Sequence, residues 1–125
     1  MNSDKLLDIF NKRESFMEMI KNKFPDTYNA WPLDISKKSS QIQLRETALK
    51  GVEEMFEALG HLKNWKPHRE TDLPGINREE FLEEIVDGFN YFFSLMILMG
   101  VDVEEFYNAF NKKDRIIRDR LEKGY

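Results

Sequence analysis

Apolar side chains recur at the spacing of an amphipathic helix in four stretches of this chain, and no stretch alternates apolar and polar residues as a half-buried strand would. The pattern predicts four helices, which run roughly from Ser3 to Phe24, from a cap at Ser39 or Ser40 to about Leu62, from a cap at Asn77 to Met99, and from a cap at Asp102 to about Glu122. We therefore expect an all-α fold in a single domain that spans residues 1–125.

The ends of the third helix and the start of the fourth carry the most explicit sequence signals. Asn77 and Asp102 are each followed three residues later by a glutamate, Glu80 and Glu105, which is the pattern of a capping box. Gly100 follows the third helix, where a glycine commonly ends a helix in a left-handed conformation. These signals predict where the third helix begins and ends and where the fourth begins.

The second half of the third predicted helix, from Phe89 onward, is apolar on every side. A helix of this kind is normally buried, so it is expected to be central or to be covered by a second subunit. A lone four-helix unit of 125 residues could hardly cover so many large side chains. We therefore expect a four-to-five-helix bundle that is completed by oligomerisation, as a homodimer or a dimer of dimers.

Composition narrows the possible functions. The formal net charge of −4 disfavours a polynucleotide partner, because nucleic-acid-binding proteins normally present a basic face. The most apolar run, Phe89 to Met99, is about half as long as the roughly 20 residues of a membrane span, and the acidic, amphipathic N-terminus is unlike a signal peptide. The absence of cysteine removes disulfides and thiolate chemistry and suits the reducing cytoplasm, where we expect the protein to act.

Two short acidic motifs carry the candidate chemistry. Glu54 and Glu57 lie three residues apart on the second helix, and Glu84 and Asp87 lie three apart on the third, so the members of each pair are neighbours on their helix. If the two helices pack antiparallel at the usual separation of roughly 8–10 Å, all four carboxylates converge in one cleft. Four such groups cannot stay ionised together without a cation. Oxygen ligands without histidine or cysteine select Mg²⁺, with Mn²⁺ as a possible substitute.

Other interpretations of these acids are open. Glutamate is common on helix surfaces, and either motif alone is more typical of a solvated face than of a metal site. A di-iron carboxylate bundle is disfavoured, because it uses Glu-x-x-His pairs and neither His61 nor His68 lies three residues after a glutamate. We expect both histidines at the surface.

The succession of the two motifs, EExxE over residues 53–57 and ExxD over residues 84–87, resembles the all-α nucleoside triphosphate pyrophosphohydrolases. That superfamily includes the dimeric dUTPases, the phage dCTPase/dUTPases and the MazG proteins. The resemblance covers roughly Arg45 to Tyr125, and its further elements are Asn64-Trp65-Lys66, the segment EIVDGFNYF over residues 84–92, the turn at Gly100, the segment EEFY over residues 104–107 and the terminal Gly124-Tyr125. The chain resembles the phage dCTPase/dUTPase branch more than it resembles the short MazG proteins.

The resemblance implies roles for the acidic residues. Glu54, Glu57, Glu84 and Asp87 match the metal ligands of the family, and Glu53 matches an auxiliary acid. Either Glu53 or Glu54 would then accept the proton of the attacking water.

The resemblance also implies phosphate contacts near the C-terminus. Lys113 and Arg120 match the cations of the family's terminal pattern, whereas Ile117 and Leu121 stand where that pattern has Asn and Gln. The stretch over residues 112–123 holds six basic residues against three acidic ones, so it could neutralise a triphosphate or form a solvated helical face.

Six residues in all are candidate substrate contacts: Asn90, Lys66, Trp65, Lys113, Arg120 and Tyr125. Trp65 lies beside a loop, where an aromatic ring can stack on a base or pack in the core. Asn90 follows Asp87 by one helical turn, so it could enter the same cleft or be a satisfied buried amide.

These features predict Mg²⁺-dependent hydrolysis of a nucleoside triphosphate to the monophosphate and pyrophosphate, with dUTP or dCTP as the first choice of substrate. Two alternatives are a MazG-like enzyme that acts on a purine or modified nucleotide and a non-catalytic helical interaction protein. The matched acids favour an enzyme, because a protein that only binds partners has no need to bring carboxylates together.

Overall fold

The computed structural model describes residues 4–70 and 75–124, which form four α helices and, within those ranges, no strand. The helices are α1 (Lys5–Lys23), α2 (Lys38–Leu59), α3 (Arg78–Leu98) and α4 (Val103–Lys123). The all-α prediction is thereby confirmed. Ser3, the predicted start of the first helix, and Tyr125, a predicted substrate contact, lie outside the described residues.

The predicted caps of α3 and α4 are confirmed. The Oδ1 atom of Asn77 accepts a hydrogen bond from the backbone N–H of Glu80 at 3.1 Å, and that of Asp102 accepts one from Glu105 at 2.9 Å. Gly100 has a φ of 77°, the left-handed conformation that favours glycine after a helix. A short polar signal next to a helical pattern was therefore sufficient to locate these ends.

The predicted boundaries of α2 are wrong at both ends. The helix begins at Lys38, its N-cap Lys37 makes no side-chain cap, and neither Ser39 nor Ser40 is the cap. A turn in which the Asp34 carboxylate accepts hydrogen bonds from Ser36 brings the chain into the helix a residue or two early. At the other end α2 stops at Leu59 rather than Leu62, since the next amides bond three residues back instead of four.

The core lies between α1 and the second half of α3, where Met17 and Leu98 are fully buried. The loop between α1 and α2 closes one side of it. The backbone N–H of Leu33, itself buried, donates to the carbonyl oxygen of Leu98 at 2.7 Å, and the indole N–H of Trp31 donates to Glu14 at 2.8 Å. Trp31 therefore belongs to the structural core of this loop.

The apolar half of α3 is buried on one side only within this chain. Ser94, Ile97 and Leu98 are buried, whereas Phe89 is 48% exposed. No single helix among the described residues is long and apolar enough to cross a membrane; α3 and α4 satisfy such a test only as a pair, across a bend of 107°.

Helices α2 and α3 pack against each other more extensively than any other pair and run antiparallel. Gly51 near the middle of α2 faces Phe92 of α3, whereas His61, just beyond the end of α2, faces Glu84 near the start of α3. The antiparallel arrangement that the acidic motifs predicted is confirmed. In contrast, α4 packs mainly against α1: its first turn joins the core cluster beside the end of α3 through Val103 and Phe106, and in the described residues its backbone approaches neither α2 nor α3 closely.

Candidate carboxylate site between α2 and α3

Two glycines allow the backbones of α2 and α3 to pack closely against each other. A Cβ atom on Gly51 would lie 2.9 Å from the ring of Phe92, and one on Gly88 would lie 2.7 Å from the sulfur of Met55. Each would also come within 3.3 or 3.4 Å of the other glycine's carbonyl oxygen. The two backbones can approach this closely only because neither residue has a side chain.

The acidic residues lie within two turns of this crossing on each helix. Glu54 follows Gly51 by three residues, and Asp87 and Glu84 precede Gly88 by one and four residues. The pKa of Glu54 is raised above its usual 4.5, first by partial desolvation and then by the negative charges of Glu57, Asp87 and Glu84 and by hydrogen bonding with Glu57. The structure thus brings the four acids of both motifs within electrostatic reach of one another.

Glu84 is held against a histidine that the sequence pattern did not associate with the site. His61 Nε2 lies 3.1 Å from Glu84 Oε2, without the alignment of a hydrogen bond, and that oxygen is buried with no hydrogen-bond partner. The His61 side chain is 22% exposed and its ring packs against Phe81, so it is only partly at the surface, whereas His68 is exposed as expected. The spacing of His61, seven residues or two turns after Glu54, could have revealed it.

The donors of this cluster fit a hard divalent cation. All four side chains are carboxylates, which Mg²⁺ and Mn²⁺ prefer, and Glu84 Oε2 is a buried acceptor in need of a partner. Within residues 4–70 and 75–124, however, no three Asp, Glu or His side chains stand in positions that would together hold a metal ion. Because like charges favour separation and glutamate has three rotatable torsion angles, ion binding would require these side chains to turn towards one another.

A cleft of about 730 Å³ opens beside the cluster, and we call it the carboxylate cleft. It lies between the end of α2 and the start of α3, with Glu57, His61, Glu80 and Glu84 among its lining residues. Its size falls within the range of small-molecule sites, about 300–1,000 Å³. The cleft can therefore hold a ligand as large as a nucleotide.

Trp65 and Lys66 lie in the loop that follows this cleft. Asn64 lines both the carboxylate cleft and the adjoining pocket in which Trp65 and Lys66 lie. The Trp65 side chain is 68% exposed, and the Lys66 ammonium lies 5.8 Å from the centre of its ring. Trp65 is thus not a core residue, and it lies in the pocket that adjoins the cleft at Asn64, where a planar group could stack on it.

The other predicted site residues lie elsewhere. Glu53 is exposed on α2 beside Glu54. Asn90 lines a different depression, an apolar groove of about 610 Å³ between α1 and α3, which we call the α1/α3 groove. Lys113 and Arg120 are exposed on α4, whose backbone makes no close approach to the two acidic helices of its own chain in the described residues. The structure therefore brings together the predicted metal ligands but not the predicted C-terminal cations.

Arg13 was not anticipated from the sequence. It is partly buried, its Nε donates a 2.7 Å hydrogen bond to the fully buried hydroxyl of Ser94, and its guanidinium lies over the rings of Phe16 and Tyr91. Burial lowers the pKa of Arg13, although the negative potential of nearby groups that include Asp87 acts in the opposite direction. A lone arginine on an amphipathic helix gives no sequence signal of such a position.

Comparison with known proteins adds no assignment. No model of a known protein family matches the chain, and no curated protein or solved structure matches it significantly. The resemblance to the pyrophosphohydrolases therefore rests on the sequence motifs alone.

Proposed function

We propose that this protein hydrolyses a nucleoside triphosphate to the monophosphate and pyrophosphate in the presence of Mg²⁺, with dUTP or dCTP as the preferred substrate. One observation carries the proposal: the Glu54 carboxylate lies within the electrostatic field of Glu57, Glu84 and Asp87 from two antiparallel helices. The spacing of these acids is also that of the family the motifs resemble.

The acidic residues would have two roles, which are to bind a cation and to accept a proton. Glu54, Glu57, Glu84 and Asp87 would hold Mg²⁺, or Mn²⁺ in its place, which when bound supplies positive charge against the phosphates. A water molecule would attack the α- or β-phosphorus, and Glu53 or Glu54 would accept its proton. If the water attacks the α-phosphorus, pyrophosphate leaves with the electron pair of the broken P–O bond; if it attacks the β-phosphorus, the monophosphate leaves with that pair and the water oxygen becomes part of the pyrophosphate.

The carboxylate cleft would bind the nucleotide. Its volume suits one, and Trp65 in the adjoining pocket offers an exposed aromatic face on which a base can stack. Lys66 beside that ring could contact a phosphate. The net negative charge of the chain agrees with a mononucleotide rather than a polynucleotide as the ligand, in an enzyme of cytoplasmic nucleotide-pool control.

A substrate panel tests the proposal. Purified protein would be incubated with Mg²⁺ and each of dUTP, dCTP, dTTP, dATP, dGTP and the ribonucleotides, and the products would be separated into pyrophosphate and orthophosphate. We expect pyrophosphate from dUTP or dCTP, loss of activity in Glu54→Gln and retention of activity in Glu46→Gln, an equal charge change on the same helix. Failure to release pyrophosphate from any nucleotide would contradict the proposal and favour a non-catalytic interaction protein.

A further inference from the structure

His61 makes a polar contact that joins the end of α2 to one of the four acids of the cluster. Its imidazole Nε2 lies 3.1 Å from Oε2 of Glu84, near the start of α3. Within residues 4–70 and 75–124, no lysine or arginine forms an ion pair with Glu84. The imidazole is therefore the polar group of the protein that the structure places against this carboxylate.

The backbone that follows α2 fixes the position of the imidazole ring. Gly60 caps the helix, and the N–H of His61 donates to the carbonyl oxygen of Ala58 at 3.1 Å, in a turn that is tighter than that of an α helix. The ring packs on that of Phe81 with 5.9 Å between their centres. Phe81 and Glu84 are three residues apart on α3, so a single face of that helix makes both contacts with His61.

The two oxygens of the Glu84 carboxylate have different surroundings. Oε2 is buried, whereas the side chain as a whole is 38% exposed and lines the carboxylate cleft, so its exposure comes from its other atoms. The separation of Oε2 from Nε2 suits a hydrogen bond although the alignment does not, and a small rotation of either group completes that bond. One oxygen is thus held against the protein while the other can accept a ligand.

The chemistry of the contact determines which group donates. Glu84 must be ionised to bind a metal ion, and the lone pairs of an ionised carboxylate would repel an unprotonated nitrogen. Nε2 therefore carries a proton when Glu84 acts as a ligand, and Oε2 is the acceptor. Because a buried carboxylate oxygen without a donor is costly, this contact stabilises one orientation of Glu84.

Repulsion within the acidic cluster makes that orientation important. Glu54 lies in the field of Glu84 as well as those of Glu57 and Asp87, and like charges drive such side chains apart when no cation is bound. Glu84 could turn outward into water by rotation about its side-chain torsions. The contact with His61 opposes this rotation, so less side-chain entropy is lost when an ion binds.

We propose that His61 is a positioning residue for the metal site, in which its Nε2–H holds Oε2 of Glu84 and keeps that carboxylate at the carboxylate cleft for a divalent cation. The proposal rests on the proposed function for the existence of the metal site, but its test requires neither a nucleotide nor catalysis. Loss of a hydrogen-bonding partner of a metal ligand commonly lowers metal affinity about 10- to 100-fold, which is the effect expected here.

Three substitutions of His61 separate the N–H donor from the ring. His61→Phe keeps a ring on Phe81 but has no N–H. His61→Gln loses the ring but carries an amide N–H at the same number of bonds from Cβ as Nε2, whereas the amide of His61→Asn corresponds to Nδ1. His68→Phe is the matched control, since that histidine is exposed in the loop beyond the cleft.

Affinity for Mn²⁺ is the first readout, measured by calorimetry at one pH and at a temperature where circular dichroism shows every variant to be folded. We expect His61→Phe and His61→Asn to weaken Mn²⁺ binding about 10- to 100-fold, and His61→Gln and His68→Phe to stay within about threefold of the wild type. A contact that only joins the helices would follow the ring instead, so that His61→Phe keeps and His61→Gln loses affinity. That pattern, or wild-type affinity in His61→Phe, would overturn the proposal.

The dependence of activity on Mn²⁺ concentration is the second readout. If the protein hydrolyses a nucleotide, His61→Phe should need about 10- to 100-fold more Mn²⁺ for half-maximal activity but should reach the wild-type kcat once the site is saturated. A kcat that stays low at saturating Mn²⁺ would show that His61 acts on the substrate directly, and it would overturn the positioning role.

The two readouts together distinguish this proposal from the proposed function. The expected Mn²⁺ affinities in a protein that hydrolyses no nucleotide would support the role of His61 and contradict the proposed function. Nucleotide hydrolysis together with wild-type Mn²⁺ affinity in His61→Phe would do the reverse. A wild type that binds no Mn²⁺ would overturn the metal site and the role of His61 with it.

Discussion

Gly51 of α2 and Gly88 of α3 face each other so closely that a Cβ atom on either would lie within 3.3 or 3.4 Å of the other's carbonyl oxygen. This contact positions Glu54 and Glu57 on one helix against Glu84 and Asp87 on the other. The approach of the two backbones is therefore a structural requirement of the carboxylate cluster, and it is open to direct test.

Substitution of Gly51 should separate the helices. Alanine there gains about 1 kcal/mol in helix propensity, which offsets part of the overpacking cost, but leucine also introduces three carbons where the ring of Phe92 already lies. We expect Gly51→Leu to lower the free energy of unfolding by about 2–3 kcal/mol in urea titrations and to weaken Mn²⁺ binding. Gly75→Ala, at a position with no atom within 4 Å of the added Cβ, should change neither quantity. A Gly51→Leu protein with wild-type stability and Mn²⁺ affinity would show that the close approach is unnecessary.

The hydrogen bond from Arg13 to Ser94 should contribute to stability. Ser94→Ala leaves a partly buried guanidinium N–H without an acceptor, which costs about 1–3 kcal/mol. Ser36→Ala, which removes an exposed hydroxyl that bonds only to Asp34, should cost less than about 0.5 kcal/mol. Urea titrations of both variants measure the loss in free energy of unfolding. Equally small losses in the two variants would mean that Arg13 finds another acceptor.

The pH dependence of stability should carry the signature of Glu54. Its folded-state pKa is raised above 4.5, so the folded protein holds this proton more tightly than the unfolded chain does. The contribution of this protonated carboxyl group to the stability of the folded protein is fully present below about pH 4.5. It is lost as the pH rises through the folded-state pKa. In the presence of a chelator, Glu54→Gln should therefore gain stability relative to the wild type as the pH is raised from 4 to 7. Glu46→Gln is the control, and a Glu54→Gln difference that does not vary with pH would contradict the raised pKa.

The C-terminal cations should affect substrate binding without affecting the metal. Under the proposed function, Lys113→Ala and Arg120→Ala would each remove a charge-assisted hydrogen bond to phosphate, worth about 1.5–3 kcal/mol, or about 10- to 150-fold in kcat/KM. Mn²⁺ affinity should stay nearly unchanged, and Lys112→Ala, on another side of α4, should leave both quantities at wild-type values. Steady-state kinetics that show wild-type kcat/KM for Arg120→Ala would exclude it from phosphate binding.

Local sequence signals predicted the helices of this fold, whereas the tertiary surroundings of single residues could be predicted less well. Asn77, Asp102 and Gly100 mark helix ends because caps act over three or four residues. The start of α2 was missed because a turn around Asp34, rather than a serine cap, leads into it. Helical spacing can place a residue on a face, but it cannot show what lies opposite that face.

The candidate site shows the same difference between local spacing, which can be read from the sequence, and tertiary surroundings, which cannot. The paired acids were recognisable because each motif repeats a spacing of three residues on its own helix. The position of Arg13 depends on which helices pack together, and no local pattern encodes that. The spacing of His61 after Glu54 indicates a shared face, but it does not show that Glu84 lies opposite that face. Lys113 and Arg120 matched a family pattern, yet α4 holds them away from the acids of the same chain.

Titration of the protein with Mn²⁺ by calorimetry tests the central claim, a divalent-cation site formed by the acids of α2 and α3, most directly. The wild type and Glu46→Gln should bind Mn²⁺ alike, whereas Glu54→Gln and Asp87→Asn should each weaken binding at least about tenfold, the effect of removing a charged ligand at a cost of 1.4 kcal/mol or more. Wild-type affinity in both Glu54→Gln and Asp87→Asn, or no binding by the wild type, would contradict the metal site and the function built on it.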